Sequence, residues 1–284
     1  MVSACLKKGS LGAQRKNSIN KIESSYIRVG DRNVRYLCGG KGDPLLIVHG
    51  GGGGVSAWVK NLEVLAGHYT VYAPDLPGFG ETRSIEDRFR VEEYVGFLED
   101  FSGALGLERF YLAGHSVGGG IALSYALDYP ERVERLVLVS SLFLGSEIAP
   151  WARYLSSPKI FKYLAEAGLT VFGTASRLAG RIFHFRKLTP PFSRIQMEIG
   201  NSTMDLKGQT IVLLDRLAGL VMPTLLVWGA RDGIVPAKHA YAAADVIPDC
   251  SVHVFEGCGH YVYNQKRQEF SGLLHKFLHR NTAS

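Results

Sequence analysis

Six short apolar runs recur along the chain: PLLIV (44–48), YTVYAP (69–74), RFYLAG (109–114), RLVLVSS (135–141), TLLVWG (224–229) and SVHVFEG (251–257). Runs with little polar alternation have no solvent face, so they suit strands covered on both sides, as in a parallel sheet. Between them lie helix-like stretches such as RVEEYVGFLEDFSGALG and GGGIALSYALDYPERV. Strand and helix in alternation predict an α/β fold with a mostly parallel, doubly wound sheet. Ahead of the first run, YIRVGDRNVRYLCGG reads as a hairpin turning at Gly30 and Asp31, an antiparallel start to the same sheet.

The rhythm breaks between about Phe143 and Val221. No strand run occurs there; Trp151, Tyr154, Phe161, Tyr163, Phe172, Phe183, Phe185 and Phe192 are instead interleaved with Arg and Lys. This interval predicts a helical cap over the sheet at 143–220, with the core formed by 22–142 and 221–284. A chain of 284 residues, 46% of them hydrophobic, is long enough for one large domain with such an insertion. The first 21 residues, basic and poor in acids, read as a disordered tail, with a transit peptide as the alternative. They lack the uninterrupted apolar segment of a secretory signal.

No apolar stretch reaches the length of a membrane span, so a soluble, cytoplasmic protein is expected. The net charge is +6 with the charges scattered, a weak basis for a nucleic-acid partner. Cys5, Cys38, Cys250 and Cys258 lack C-x-x-C spacing, which favours free thiols in a reducing compartment.

The chemistry centres on GHSVG, Gly114 to Gly118, which fits G-x-S-x-G with a strand run before it and a helical stretch after it. In that turn a serine is held exposed and strained, and flanking glycines are needed because a Cβ would strike neighbouring backbone. Ser116 is the candidate nucleophile. A serine hydroxyl needs a base, and the base an orienting acid. TLLVWGARDGIVP ends a strand run and presents Asp232; VFEGCGHYVY ends the last run and presents His260 in a Gly-flanked loop. Both candidates fall at the C-terminal ends of strands, the edge of an α/β sheet where ligands bind.

Taken together, HGGGGG with its downstream Trp, APDLPGFGETR, GHSVGGGIAL, YPERVERLVLVSS, WGARDGIVP and GCGHYVYNQKRQEF resemble the α/β-hydrolase superfamily, in the branch of cap-bearing carboxylesterases and meta-cleavage-product hydrolases. The likeness covers about residues 30 to 142 and 221 to 280, and its motifs agree in order and spacing. Ser116, Asp232 and His260 follow the family's chain order. The five glycines at 50–54 do not suit a phosphate cradle, since no Lys follows in place, and Asp75 has no ribose-binding context. The resemblance implies instead an oxyanion loop, with the backbone N–H groups of Gly51 and Val117 aimed at the attacked carbonyl oxygen.

From the same resemblance, His49 is expected to be structural. Haloalkane dehalogenases and epoxide hydrolases place Asp at the elbow, where this chain has Ser116. Meta-cleavage-product hydrolases typically carry Asn before the serine and Trp after the catalytic histidine, where this chain has His115 and Tyr261. They also hold the substrate's carboxylate with an Arg near the end of the cap, a role open to Arg194. Candidate substrate contacts are therefore Arg194, Gly52, His115, Tyr261 and Trp151, although a packing or hydrogen-bonding role suits His115 better than that of a second base. His275 and His279 have ligand spacing but no third partner in the sequence, so no metal is expected. Cys258 lies near His260 but outside the elbow context, which suits a free loop thiol.

The implied activity is a cofactor-free serine hydrolase acting on carboxylic esters of small to medium acyl chain through an acyl-enzyme. The alternative is a carbon–carbon bond hydrolase acting on meta-cleavage dienoates. A ligand receptor with slow turnover is a third reading. The partner is a small-molecule ester or dienoate, and the resemblance leaves a homodimer open.

Overall fold

The computed structural model describes residues 21–52, 54–82, 89–155 and 194–279. The tail reading of 1–21 falls outside them apart from Lys21, as does the middle of the expected cap. Eight strands form one sheet: β1 (Glu23–Val29), β2 (Arg32–Gly39), β3 (Pro44–Val48), β4 (Thr70–Pro74), β5 (Phe110–His115), β6 (Val133–Val139), β7 (Thr224–Gly229) and β8 (Cys250–Phe255). Their order is β1-β2-β4-β3-β5-β6-β7-β8. β1 pairs antiparallel with β2 and β2 with β4, and every later pairing is parallel. Val29 pairs with Arg32, so the first hairpin turns on Gly30 and Asp31, with Gly30 at φ 58° as a tight turn of this kind requires.

Each parallel strand splits its apolar residues between two cores. Leu46 and Val48 of β3 face one core with Leu112 of β5, Leu138 of β6 and Trp228 of β7. Leu45 and Ile47 face the other with Ala113, Val137 and Val227. The first core is closed by α2 (Val91–Ala104) and α3 (Val117–Asp128), through Phe97, Phe101, Ile121 and Tyr125. The second is closed by α1 (Val59–Leu65) and a C-terminal helix, Arg267–Leu278, through Leu62, Phe270 and Leu274. Two-sided burial is the physical reason the runs read as continuously apolar.

β6 ends at Val139 rather than continuing through the serines, because Ser140 takes up φ 45° and turns the chain away from the sheet. Of the interval 143–220, the structure describes α4 (Pro150–Leu155) and α5 (Arg194–Thr203), followed by a short 3-10 segment at Leu214–Gly219. Among the described residues no helix is long and apolar enough to cross a membrane.

Candidate active site

Ser116 sits between the end of β5 and the start of α3 with φ 55° and ψ −122°. A non-glycine residue there costs on the order of 1–3 kcal/mol and persists only where its surroundings impose it. Here the Ser116 N–H donates to Val139 O (3.0 Å), and Ser116 O accepts from the amides of Gly120 and Leu142 (both 3.1 Å). The flanking glycines are required by space. A Cβ on Gly114 would meet Gly118 O and lie 2.8 Å from Ala122 Cβ; one on Gly118 would strike His49 O and lie 2.6 Å from Val48 O. The elbow thus packs directly on the end of β3, where the glycine loop begins.

His49, buried at that junction, orders the loop. The Leu76 N–H donates to its Nε2 (3.0 Å), which leaves the ring proton on Nδ1 for Gly50 O (2.8 Å). Burial holds this imidazole below its usual pKa, so it stays neutral. Because the peptide is planar and trans, anchoring Gly50 C=O on His49 turns the Gly51 N–H to the opposite side. Val117, as the first residue of α3, carries an N–H that has no acceptor within its own helix.

Asp232 and His260 are brought together by latched loops after β7 and β8. Arg231 N–H donates to Cys258 O (2.7 Å) and Ala230 N–H to Phe255 O (3.0 Å), while a Cβ on Gly229 would strike the carbonyls of Cys258 and Gly259. His260 Nδ1–H donates to Asp232 Oδ2 (2.9 Å) and Oδ1 (3.1 Å). Oδ1 also accepts the amides of Ile234 (2.9 Å) and Val235 (3.0 Å). The carboxylate side chain has no exposed surface. Burial opposes its charge, but the His260 bond and the two amides outweigh that and hold the carboxyl below its ordinary range. An ionised acid on Nδ1 fixes the tautomer in which Nε2 is the free base.

A cavity of about 250 Å³ opens over these groups, lined by Gly51, Gly52, Ser116, Val117, His260, Tyr261, Trp151, Ala152, Leu142, Ile234 and, from α5 and just beyond it, Met197, Ile199, Gly200 and Met204. Most of the sequence candidates therefore share one cavity. Trp151 is half exposed and its indole N–H donates to Gly233 O (2.9 Å), tying α4 to the loop that carries Asp232. Arg194 begins α5, and its side chain lies outside the described residues.

His115 is the exception, and its candidacy as a substrate contact is corrected here. It does not line the cavity but lies buried behind it, against the rings of His260, Tyr261 and Tyr263, with its Nε2–H donated to His260 O (3.0 Å). Burial and the neighbouring His260 push its pKa down to about 3. It supports the loop that carries His260 as a neutral ring.

Ser140, Phe143, Met197, Ile199, Met204 and Ile234, which the sequence did not flag, frame or line the site. Ser140 and Phe143 adopt left-handed φ beside the elbow (45° and 75°), and Phe143 fills the space a Cβ on Gly120 would need. Met197, Ile199, Met204 and Ile234 supply apolar wall. Asp75, buried, takes the Arg35 guanidinium at 2.9 Å and the Glu81 amide at 3.2 Å, a loop anchor rather than a ribose ligand. Cys258 is buried in the second core. His275 stacks on His68 at 4.0 Å and shares a hydrogen bond with the Tyr69 hydroxyl (3.1 Å); among the described residues no three His, Cys, Asp or Glu side chains are grouped to hold a metal ion.

Residues 43–156 match the family model for the alpha/beta hydrolase fold. The chain is 30% identical over 259 residues to a 2-hydroxy-6-oxo-2,4-heptadienoate hydrolase of Pseudomonas putida, covering 84% of this chain and 90% of that one. The chain belongs to the α/β-hydrolase fold family. Solved members of similar fold include a meta-cleavage product hydrolase of Pseudomonas fluorescens (TM-score 0.71, 23% identity, 89% of this α/β hydrolase and 97% of that chain). Another is a carboxylesterase of Bacillus subtilis (TM-score 0.67, 22% identity, 91% and 92%).

Proposed function

We propose that this α/β hydrolase cleaves carboxylic esters of small to medium acyl chain through an acyl-enzyme. Ser116 Oγ attacks the ester carbonyl and His260 Nε2 takes its proton, while Asp232 stabilises the imidazolium. The amides of Gly51 and Val117 receive the charge that develops on the carbonyl oxygen. His260 then protonates the departing alcohol, and water, activated by the same imidazole, releases the acid.

The observation that carries this reading is the composition of the cavity wall. Ser116 and the Asp232-oriented His260 open onto a surface that, among the described residues, holds no Lys, Arg, Asp or Glu side chain. Such a wall suits an uncharged ester, with residues 143–220 acting as the cap that supplies Trp151, Ala152, Met197 and Ile199. A second reading, carbon–carbon cleavage of an anionic dienoate, draws on the dienoate hydrolase relative at 30% identity.

Wild type and Ser116→Ala assayed on p-nitrophenyl esters of graded chain length, beside a meta-cleavage dienoate, separate the two. Serine-dependent ester turnover with little dienoate turnover is the expected result. Faster turnover of the dienoate gives the second reading, with Arg194 as the next residue to replace. No serine-dependent activity on either overturns both.

A further inference from the structure

Among the described residues, the cavity wall is apolar apart from the groups proposed for catalysis and two ring donors, Trp151 and Tyr261. The Trp151 indole is already committed to Gly233 O. The Tyr261 hydroxyl has no hydrogen-bond partner among the described residues, and its position is set from several sides. Its oxygen lies only 2.7 Å from where a Cβ on Gly52 would stand, beside the loop that presents the Gly51 amide. Its ring is bracketed by His260 (centroids 5.4 Å, nearly perpendicular) and His115 (5.4 Å), which set the direction of the phenol.

From this we infer that Tyr261 is a specificity-determining residue: its hydroxyl donates a hydrogen bond to an oxygen acceptor that the substrate carries next to the scissile carbonyl, so acids with an ether, hydroxyl or oxo oxygen close to the carbonyl are preferred over plain alkanoates. The inference rests on the ester-hydrolase reading and adds the substrate class. An uncommitted donor at an otherwise apolar wall binds an alkyl chain poorly, because the phenol must give up water for nothing. The same donor facing an acceptor recovers that loss. Gly52 belongs to the device, since its missing side chain is the space the hydroxyl uses.

The test compares two isosteric probes, p-nitrophenyl methoxyacetate and p-nitrophenyl butyrate, which differ by an oxygen in place of a methylene two atoms from the carbonyl carbon. Both react at the same carbonyl with the same leaving group, so each enzyme's ratio of kcat/KM values cancels effects on the triad. Intrinsic reactivity cancels when ratios are compared between enzymes.

Tyr261→Phe is expected to lower the methoxyacetate-to-butyrate ratio by about 3- to 10-fold, the range for one neutral hydrogen bond. Gly52→Ala, which drives a methyl into the hydroxyl's position, is expected to lower it in the same direction. An unchanged ratio in Tyr261→Phe overturns the inference, and so does an equal loss on both probes, which would place the phenol at the shared carbonyl. Serine-dependent turnover of either ester by wild type is read in the same experiment; its absence on both counts against the ester-hydrolase reading instead.

Discussion

Replacing Asp232 by Asn exchanges one carboxylate oxygen for an NH₂ group and leaves the shape intact, so the hydrogen bonds around that side chain decide the outcome. Oδ1 accepts two backbone amides, from Ile234 and Val235, at 2.9 and 3.0 Å. An Asn amide must keep its oxygen at that position, because an NH₂ group there would face two donors. Its nitrogen is then forced into the place of Oδ2, 2.9 Å from His260 Nδ1. An NH₂ group can only donate, so Nδ1 must become the acceptor and the ring proton moves to Nε2. Nε2–H cannot accept the Ser116 proton. In serine proteases this exchange of tautomer costs about 10⁴-fold in kcat, equivalent to about 5.5 kcal/mol of barrier. The expected result for Asp232→Asn is a loss of that order in kcat on a p-nitrophenyl ester, with little change in KM. The thermal midpoint should stay close to wild type, since both amides keep their acceptor. An Asp232→Asn variant with more than about a tenth of wild-type kcat would show that Asp232 does not set the tautomer of the base.

Two further expectations concern the frame around the site. Gly118→Ala places a methyl against the carbonyls of Val48 and His49, backbone atoms that move only if β3 and the glycine loop move. A loss of about 3 kcal/mol, a drop of roughly 5–10 °C in Tm by calorimetry, is expected together with loss of ester turnover; a variant of wild-type Tm would refute the close packing of elbow on strand. Glu147 binds the Lys238 ammonium and His239, and these bonds bring its carboxyl down from 4.5 to about 2. A carboxyl lowered by folding stabilises the protein fully above about 4.5 and ceases to do so as the pH falls through about 2. The group is half exposed, so Glu147→Gln is expected to cost at most ~1 kcal/mol at neutral pH and nothing near pH 2, read from denaturant midpoints at the two pH values.

What was legible in the sequence is what repeats or is sterically forced. β3 and β7 coincide with PLLIV and TLLVWG because Leu45 to Val48 and Leu225 to Trp228 each face one of two cores, and burial on both sides leaves an unbroken apolar run. The elbow and the two loops that pair Asp232 with His260 were legible because glycine stands where a Cβ would meet backbone, at Gly114, Gly118 and Gly229. The cavity wall left no such trace. Met197, Ile199 and Met204 pack over a site rather than along a sheet, so no period marks them, and Ser140 and Phe143 take up left-handed backbone without being glycine.

His115 shows where sequence proximity misleads. It adjoins Ser116, which suggests a place in the site, but side chains along a strand alternate between faces. Tyr111 and Ala113 of β5 belong to the second core, so residue 115 points to that same side, behind His260. The alternation was already present in RFYLAGH, and it assigns His115 to the support of His260. From Ser116 onward the chain leaves the strand, and alternation no longer applies. Tyr261, on a loop, was a candidate through the family resemblance rather than through alternation, and its hydroxyl lies beside Gly52 on the cavity wall.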